Sequence, residues 1–216
     1  MESPMTGPGF DPLQLAELLA ARICHDLSGP VGPIAGMLEL AQEDPAVAEE
    51  ALAVVTETAA NLVARLRLMR AAWTADCGTM SIAEIGTLVS AGMGRKHVGI
   101  DLSGLPAGSV VQPATARLLL NVLVLGVESL PGGGVLACAG EPDGDMVVTV
   151  AGPGAAWPVG LAAGLADPAA VTSLMENPRH VQVPVLVLLA GRPGPRLSLL
   201  FGAGTPPPLL ISHSGG

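Results

Sequence analysis

Residues 51–73 read ALAVVTETAANLVARLRLMRAAW, and within them Leu52, Val55, Ala59, Leu62, Leu66, Met69 and Trp73 recur in alternating steps of three and four. That is the a/d seam of a heptad, the period of packed helices and not of a strand, so a long helix with a bundle-type face is predicted. Upstream, Leu15, Leu19, Ile23, Leu27, Val31, Ile34 and Leu38 follow steps of four and three, with Asp11 as N-cap and Pro12 at the first helical position. Glu43-Asp44-Pro45 separates the runs, and Asp44 with Pro45 repeats the cap-then-proline signal. So short a connection makes an antiparallel hairpin. A lone hairpin cannot cover such a seam. Two hairpins side by side form a four-helix bundle, which points to a homodimer; an intrachain helix layer is the other solution.

After Asp76-Cys77-Gly78-Thr79, which reads as a linker, Gly and Pro multiply and strand-like runs alternate with helical ones. The expected domains are a helical hairpin over 1–78 and a small α/β sandwich over 79–216. In the second, helices are predicted over 81–94 and 113–130, and strands over 98–102, 135–139 and 146–150. One or two short helices fall between Val159 and Met175. Residues 183–190 stay ambiguous: their β-branched side chains favour a strand, whereas their place before Gly191 and the run Arg196–Phe201 suits a helix. The tail from Gly204 to Gly216, with three consecutive prolines, is expected to be loosely attached.

Of the 216 residues, 50% are hydrophobic and only 13% charged, which excludes a disordered chain, and the length suffices to bury a core. The formal charge of −9, with 2 Phe, 2 Trp and no Tyr, leaves neither a basic stripe nor stacking platforms for nucleic acid. Mean hydropathy is +0.55, yet no apolar run reaches the roughly 18 to 20 residues that span a bilayer. No secretory signal precedes the first helix. Cys24, Cys77 and Cys138 are odd in number and contain no C-x-x-C, which argues against a disulfide framework or a zinc site. A cytoplasmic protein is expected.

His25 is the residue with chemistry to offer. Its neighbours three and four positions away are Ala21, Arg22, Ser28 and Gly29, with Gly32 further along, so the imidazole sits on a small, polar, approachable face beside one cation. Pro30 removes the N–H that would bond the Asp26 carbonyl and is expected to kink the helix just beyond the histidine. His97, His180 and His213 have no acid or cysteine at ligand spacing and read as structural or simply exposed.

The run His25-Asp26-Leu27-Ser28-Gly29-Pro30 resembles the H-box of sensor histidine kinases, His-Glu/Asp-Leu-x-x-Pro. The longer stretch from Ala21 to Gly32 is closer to the histidine phosphotransferases of the ChpT type, from alphaproteobacterial phosphorelays. Further similarity lies at Arg65-Leu66-Arg67, at 118–121, at Leu130-Pro131 and at 181–184. The resemblance covers about 15–201. It implies a dimerising helical hairpin joined to a degenerate, Bergerat-type kinase ATP-binding sandwich. In kinases an Asn one turn after the position of Asn121 binds Mg²⁺, and an Asp at the position of Val150 reads adenine. Here Leu125 and Val150 stand there, and aliphatic side chains do neither.

What the resemblance implies is a phosphate relay without ATP. A neutral imidazole at His25 attacks the acyl phosphate of a receiver domain's phospho-aspartate and hands the group to another receiver. By the same resemblance Asp26 orients or deprotonates the other ring nitrogen, although neighbours on a helix diverge by about 100° and do not face each other. Arg22, Ser28, Gly29 and Gly32 are the expected receiver contacts. No cofactor or metal of its own is expected, Mg²⁺ coming with the receiver. The partners implied are a second copy, the receiver of a hybrid histidine kinase, and response regulators. Kinases with phosphatase activity often hold Thr or Asn where Gly29 stands, so water-directed dephosphorylation is not expected. The alternative is a non-catalytic dimeric adaptor that binds receivers or kinases without carrying phosphate.

Overall fold

A computed structural model describes residues 11–75, 77–175 and 177–213. Asp76 of the expected linker and residues 214–216 of the tail lie outside these. Helix α1 spans Pro12–Glu43, with the Asp11 carboxylate accepting from the Leu13 N–H and Pro12 in the first turn. It passes through Pro30 and Pro33 without losing helical assignment. Helix α2 spans Ala48–Trp73 and begins later than Asp44: that residue caps the end of α1, and its carboxylate holds the Ala46 N–H in the intervening turn. The two helices pack along each other as a hairpin. Of the heptad seam, Leu52 and Leu66 remain 49% and 43% exposed, because α1 and the second half of the chain cover a neighbouring stripe, Ala51, Leu68 and Ala72.

The second half is a two-layer α/β sandwich. Its elements are β1 (Met80–Ser81), α3 (Ile82–Met93), β2 (Val98–Gly104), β3 (Val110–Val111), α4 (Pro113–Glu128), β4 (Gly134–Gly140), β5 (Met146–Ala151), α5 (Leu161–Ala166), α6 (Gln182–Ala190), β6 (Arg196–Leu199) and β7 (Leu209–Ser212), with 3₁₀ turns at Pro168–Leu174 and Pro178–His180. Strands β1 and β3 form a small antiparallel pair; the main sheet runs β2-β4-β5-β7-β6, parallel only between β2 and β4. Side chains alternate along β4 and β5 so that Leu136, Cys138, Met146, Val148 and Val150 face the helices.

Two expectations are resolved by packing. Residues 182–190 are helical: they are apolar on every side, so periodicity is silent, and Pro184 sits in the first turn, where its missing N–H costs no helical bond. The tail is not loosely attached. Leu209–Ser212 inserts between β5 and β6, pairing antiparallel with both, and Leu209 and Ile211 are fully buried. Without it both neighbours would face unpaired backbone inside the sheet.

Helix α4 is the centre of the molecule. It is buried almost all round between the sheet and helices α2, α3 and α6, as a helix apolar on nearly every face must be. A Cβ at Gly126 would lie 2.5 Å from the Leu136 side chain, and one at Gly92 would lie 2.6 Å from Leu68, so these glycines let α4 close on β4 and α3 close on α2. Leu18, Leu68 and Ala72 of the hairpin belong to one core with the sandwich. A polar network fixes the junction. Arg117 donates to the carbonyls of Ala72 and Trp73, Asn121 donates to Ala72, and Gln182 donates to Asn121 while accepting from the Trp73 indole. Among the described residues no helix is long and apolar enough to cross a membrane.

Candidate functional site

His25 lies midway along α1 with its side chain 65% exposed, whereas the adjacent Asp26 carboxylate is only 10% exposed. Despite the divergence of neighbouring helical positions, the two meet: His25 Nδ1 is 3.2 Å from Asp26 Oδ1. Asp26 reaches back because its other oxygen is held. Arg22, one turn earlier, donates from Nε to Asp26 Oδ2 at 2.8 Å and from Nη2 to Glu128 Oε1 at 2.7 Å. Glu128 is the last residue of α4, so the series His25–Asp26–Arg22–Glu128 runs from the exposed imidazole into the second half of the chain.

The electrostatics assign the proton. Burial pushes the Asp26 carboxyl up, but hydrogen bonds from Arg22 and His25 and the charges of Arg22 and Arg65 outweigh it and hold its pKa below the ordinary value. An ionised carboxylate only accepts, so Nδ1 of a neutral His25 carries the hydrogen and Nε2 keeps its lone pair, the arrangement of a nucleophile. A carboxyl with a depressed pKa loses its charge only as pH falls through that lower value, so Asp26 stays an ionised acceptor for Nδ1–H through the whole neutral range. Glu128 is shifted the other way: burial raises it, and the nearby Arg22 charge only partly opposes this. Burial lowers Arg22, yet Glu128 and Asp26 reverse the balance and keep it charged.

Around the imidazole the chain leaves room. Gly29 and Gly32 are exposed, and a Cβ at either would meet nothing within 4 Å. Internal packing therefore does not require glycine there, although each costs a helix roughly 1 kcal/mol relative to Ala. The Ser28 hydroxyl is turned onto the Cys24 carbonyl at 2.6 Å. Pro30 is half-buried within α1. Arg22, expected as a receiver contact, is held by two carboxylates of its own chain. His25, Arg22, Asp26 and Glu128 border one groove of about 540 Å³, and Arg95, Trp157, Val159 and His180 form a part of its wall that the sequence did not reveal. The Trp157 indole is pinned by its bond to the Pro207 carbonyl. One signal for Glu128 was available, since it is the only charge in 118–128 and stands at a helix C-terminus, where the macrodipole disfavours a carboxylate.

Leu125 and Val150 are 0% and 5% exposed, both in the core beneath the sheet, and Asn121 is consumed by the junction network. Leu161, Val171, Met175 and Val181 belong to the same core.

Residues 82–203 match the model of the histidine phosphotransferase C-terminal domain family. The protein phosphotransferase ChpT of Brucella abortus (strain 2308) is 34% identical over 158 residues, covering 70% of this chain and 73% of that protein. A solved structure of a bacterial phosphotransferase superposes with a TM-score of 0.72 at 25% identity, covering 99% of this chain and all of that one.

Proposed function

The chain belongs to the histidine phosphotransferase family, and from that premise we propose that it relays a phosphoryl group between aspartates of receiver domains through a phosphohistidine at His25. The observation that carries this reading is the exposed Nε2 of an imidazole whose Nδ1 faces a buried, ionised Asp26. The Nε2 lone pair forms the N–P bond while the acyl-phosphate P–O bond breaks and the receiver's carboxylate leaves. Positive charge developing on the ring is balanced by Asp26 through the Nδ1–H bond. Mg²⁺ is expected to arrive with the receiver. A receiver's phosphorylated loop fits the glycine-lined face of α1, and the groove wall with Arg95 and Trp157 offers it a second contact. The donor is the receiver of a hybrid histidine kinase and the acceptors are response regulators, all in the cytoplasm. The test is mixing with a phosphorylated receiver: the protein should gain an acid-labile, base-stable phosphate. Binding without that phosphate would make it an adaptor instead.

The same reading excludes ATP as phosphate source, because Leu125 and Val150 give the buried positions no metal ligand and no acceptor for adenine. Calorimetry with millimolar Mg-ATP should show no saturable heat. A saturable isotherm would overturn this.

It also takes the hairpin as the interface of a homodimeric four-helix bundle. Leu52 and Leu66 of α2, with Val31 and Leu38 of α1, present heptad-spaced apolar side chains outward. The double variant Leu52→Asp/Leu66→Asp should be a folded monomer by light scattering, since both positions are exposed within one chain and charged groups buried across an interface cost several kcal/mol. A variant that stays dimeric refutes the bundle.

A further inference from the structure

We infer that Glu128 is a positioning residue for His25, acting through Arg22 and Asp26, so that the second half of the chain sets the chemistry of a histidine it does not contain. The inference rests on reading His25 as the nucleophile. Side chains one residue apart on α1 point about 100° apart, so the Asp26 carboxylate meets the imidazole only if something holds it turned. Arg22 is in place to do so, but one i, i+4 ion pair between flexible side chains is a weak constraint on orientation. What converts that pair into a fixed one is the second carboxylate. Arg22 offers Nε to Asp26 and Nη2 to Glu128, at 2.8 and 2.7 Å, with all three side chains largely buried. A planar guanidinium held at two points has one orientation, which a single flexible contact would not impose.

Glu128 is itself largely buried and stands on a well-anchored helix. It ends α4, the most deeply packed helix, and α4 is tied to the end of α2 by Arg117 and Asn121. Orientation therefore passes from the core of the sandwich through Glu128, Arg22 and Asp26 to Nδ1 of His25. The hairpin alone contains the nucleophile and its carboxylate but not the anchor that aims them. Glu128 borders the same groove as His25 but bonds Arg22 rather than the imidazole, so it acts by keeping the Asp26 carboxylate on Nδ1, where it fixes the tautomer and balances the charge that develops on the ring.

The experiment uses the full chain and potassium phosphoramidate, which phosphorylates an exposed imidazole by forming the N–P bond and releasing ammonia, with no receiver involved. In Glu128→Ala, ¹⁵N spectra of His25 should change from the Nδ1–H tautomer to a mixture, and the phosphorylation rate should fall roughly ten- to hundredfold, the usual consequence of misplacing a group by about 1 Å. Glu128→Gln keeps an oxygen that accepts from Arg22 and should restore both the spectrum and the rate. If Glu128→Ala does not fold, Arg22→Lys serves, because one ammonium cannot bridge two carboxylates in a fixed plane; it should show the same mixture. A wild-type spectrum and rate in Glu128→Ala, or in Arg22→Lys, would overturn the inference. A wild-type protein that reacts with phosphoramidate but never with a phosphorylated receiver would refute the relay and leave the positioning role standing.

Discussion

His25→Gln is expected to abolish phosphate acceptance from a phosphorylated receiver, with melting temperature and oligomeric state unchanged. The substitution removes the one side chain that presents a ring nitrogen lone pair to the groove from α1, and an amide nitrogen, its lone pair delocalised, does not replace it. Because the imidazole is 65% exposed and its hydrogen bond goes to Asp26, the change should cost no more than about 0.5 kcal/mol of stability. Radiolabel transfer beside thermal melting separates the two effects. Label on the Gln variant would move the nucleophile elsewhere, and His180, which borders the same groove, would be the first place to look.

The next largest effect is expected from Asp26→Asn. An amide in this position can donate to Nδ1, which favours the tautomer with hydrogen on Nε2 and removes the nucleophilic lone pair. The loss should be about 10²- to 10⁴-fold in the rate of acceptance, the range for removing general-base assistance or fixing the wrong tautomer. Receiver affinity should barely change, since the Asp26 side chain is only 10% exposed and offers a receiver little surface. Arg22 keeps Glu128 as a partner, so no uncompensated cation is left buried and the fold should survive. Rapid-quench transfer measured against receiver concentration distinguishes rate from binding. A variant within a fewfold of the wild-type rate would show that Asp26 does not orient His25.

Much of this was legible in residue order because the signals are local. Ser81 and Glu84 form a reciprocal capping box, and Gly94 ends the same helix in the left-handed conformation, so α3 could be bounded from its ends alone. Asp11 and Pro12 did the same for α1. The pairing of Leu209–Ser212 with β5 and β6 had no such local mark: β5 lies far back in the chain, and the prolines that separate the segment from β6 read as an ending. Helix α6 was undecidable because a helix buried on all sides shows no period.

His25, Asp26 and Pro30 on one helix, the heptad seam beside them, and the aliphatic residues at 125 and 150 are properties of sequence order, and they carry the family and the outline of the chemistry. Which carboxylate steadies Arg22, whether Asp26 reaches an imidazole that helix geometry points away from it, and what wall faces the histidine depend on contacts between segments about a hundred residues apart. Such contacts leave only a faint trace in sequence, here a carboxylate closing the apolar run 118–127. They arise because α4 must be buried on every side, and the packing that buries it brings Glu128 against α1.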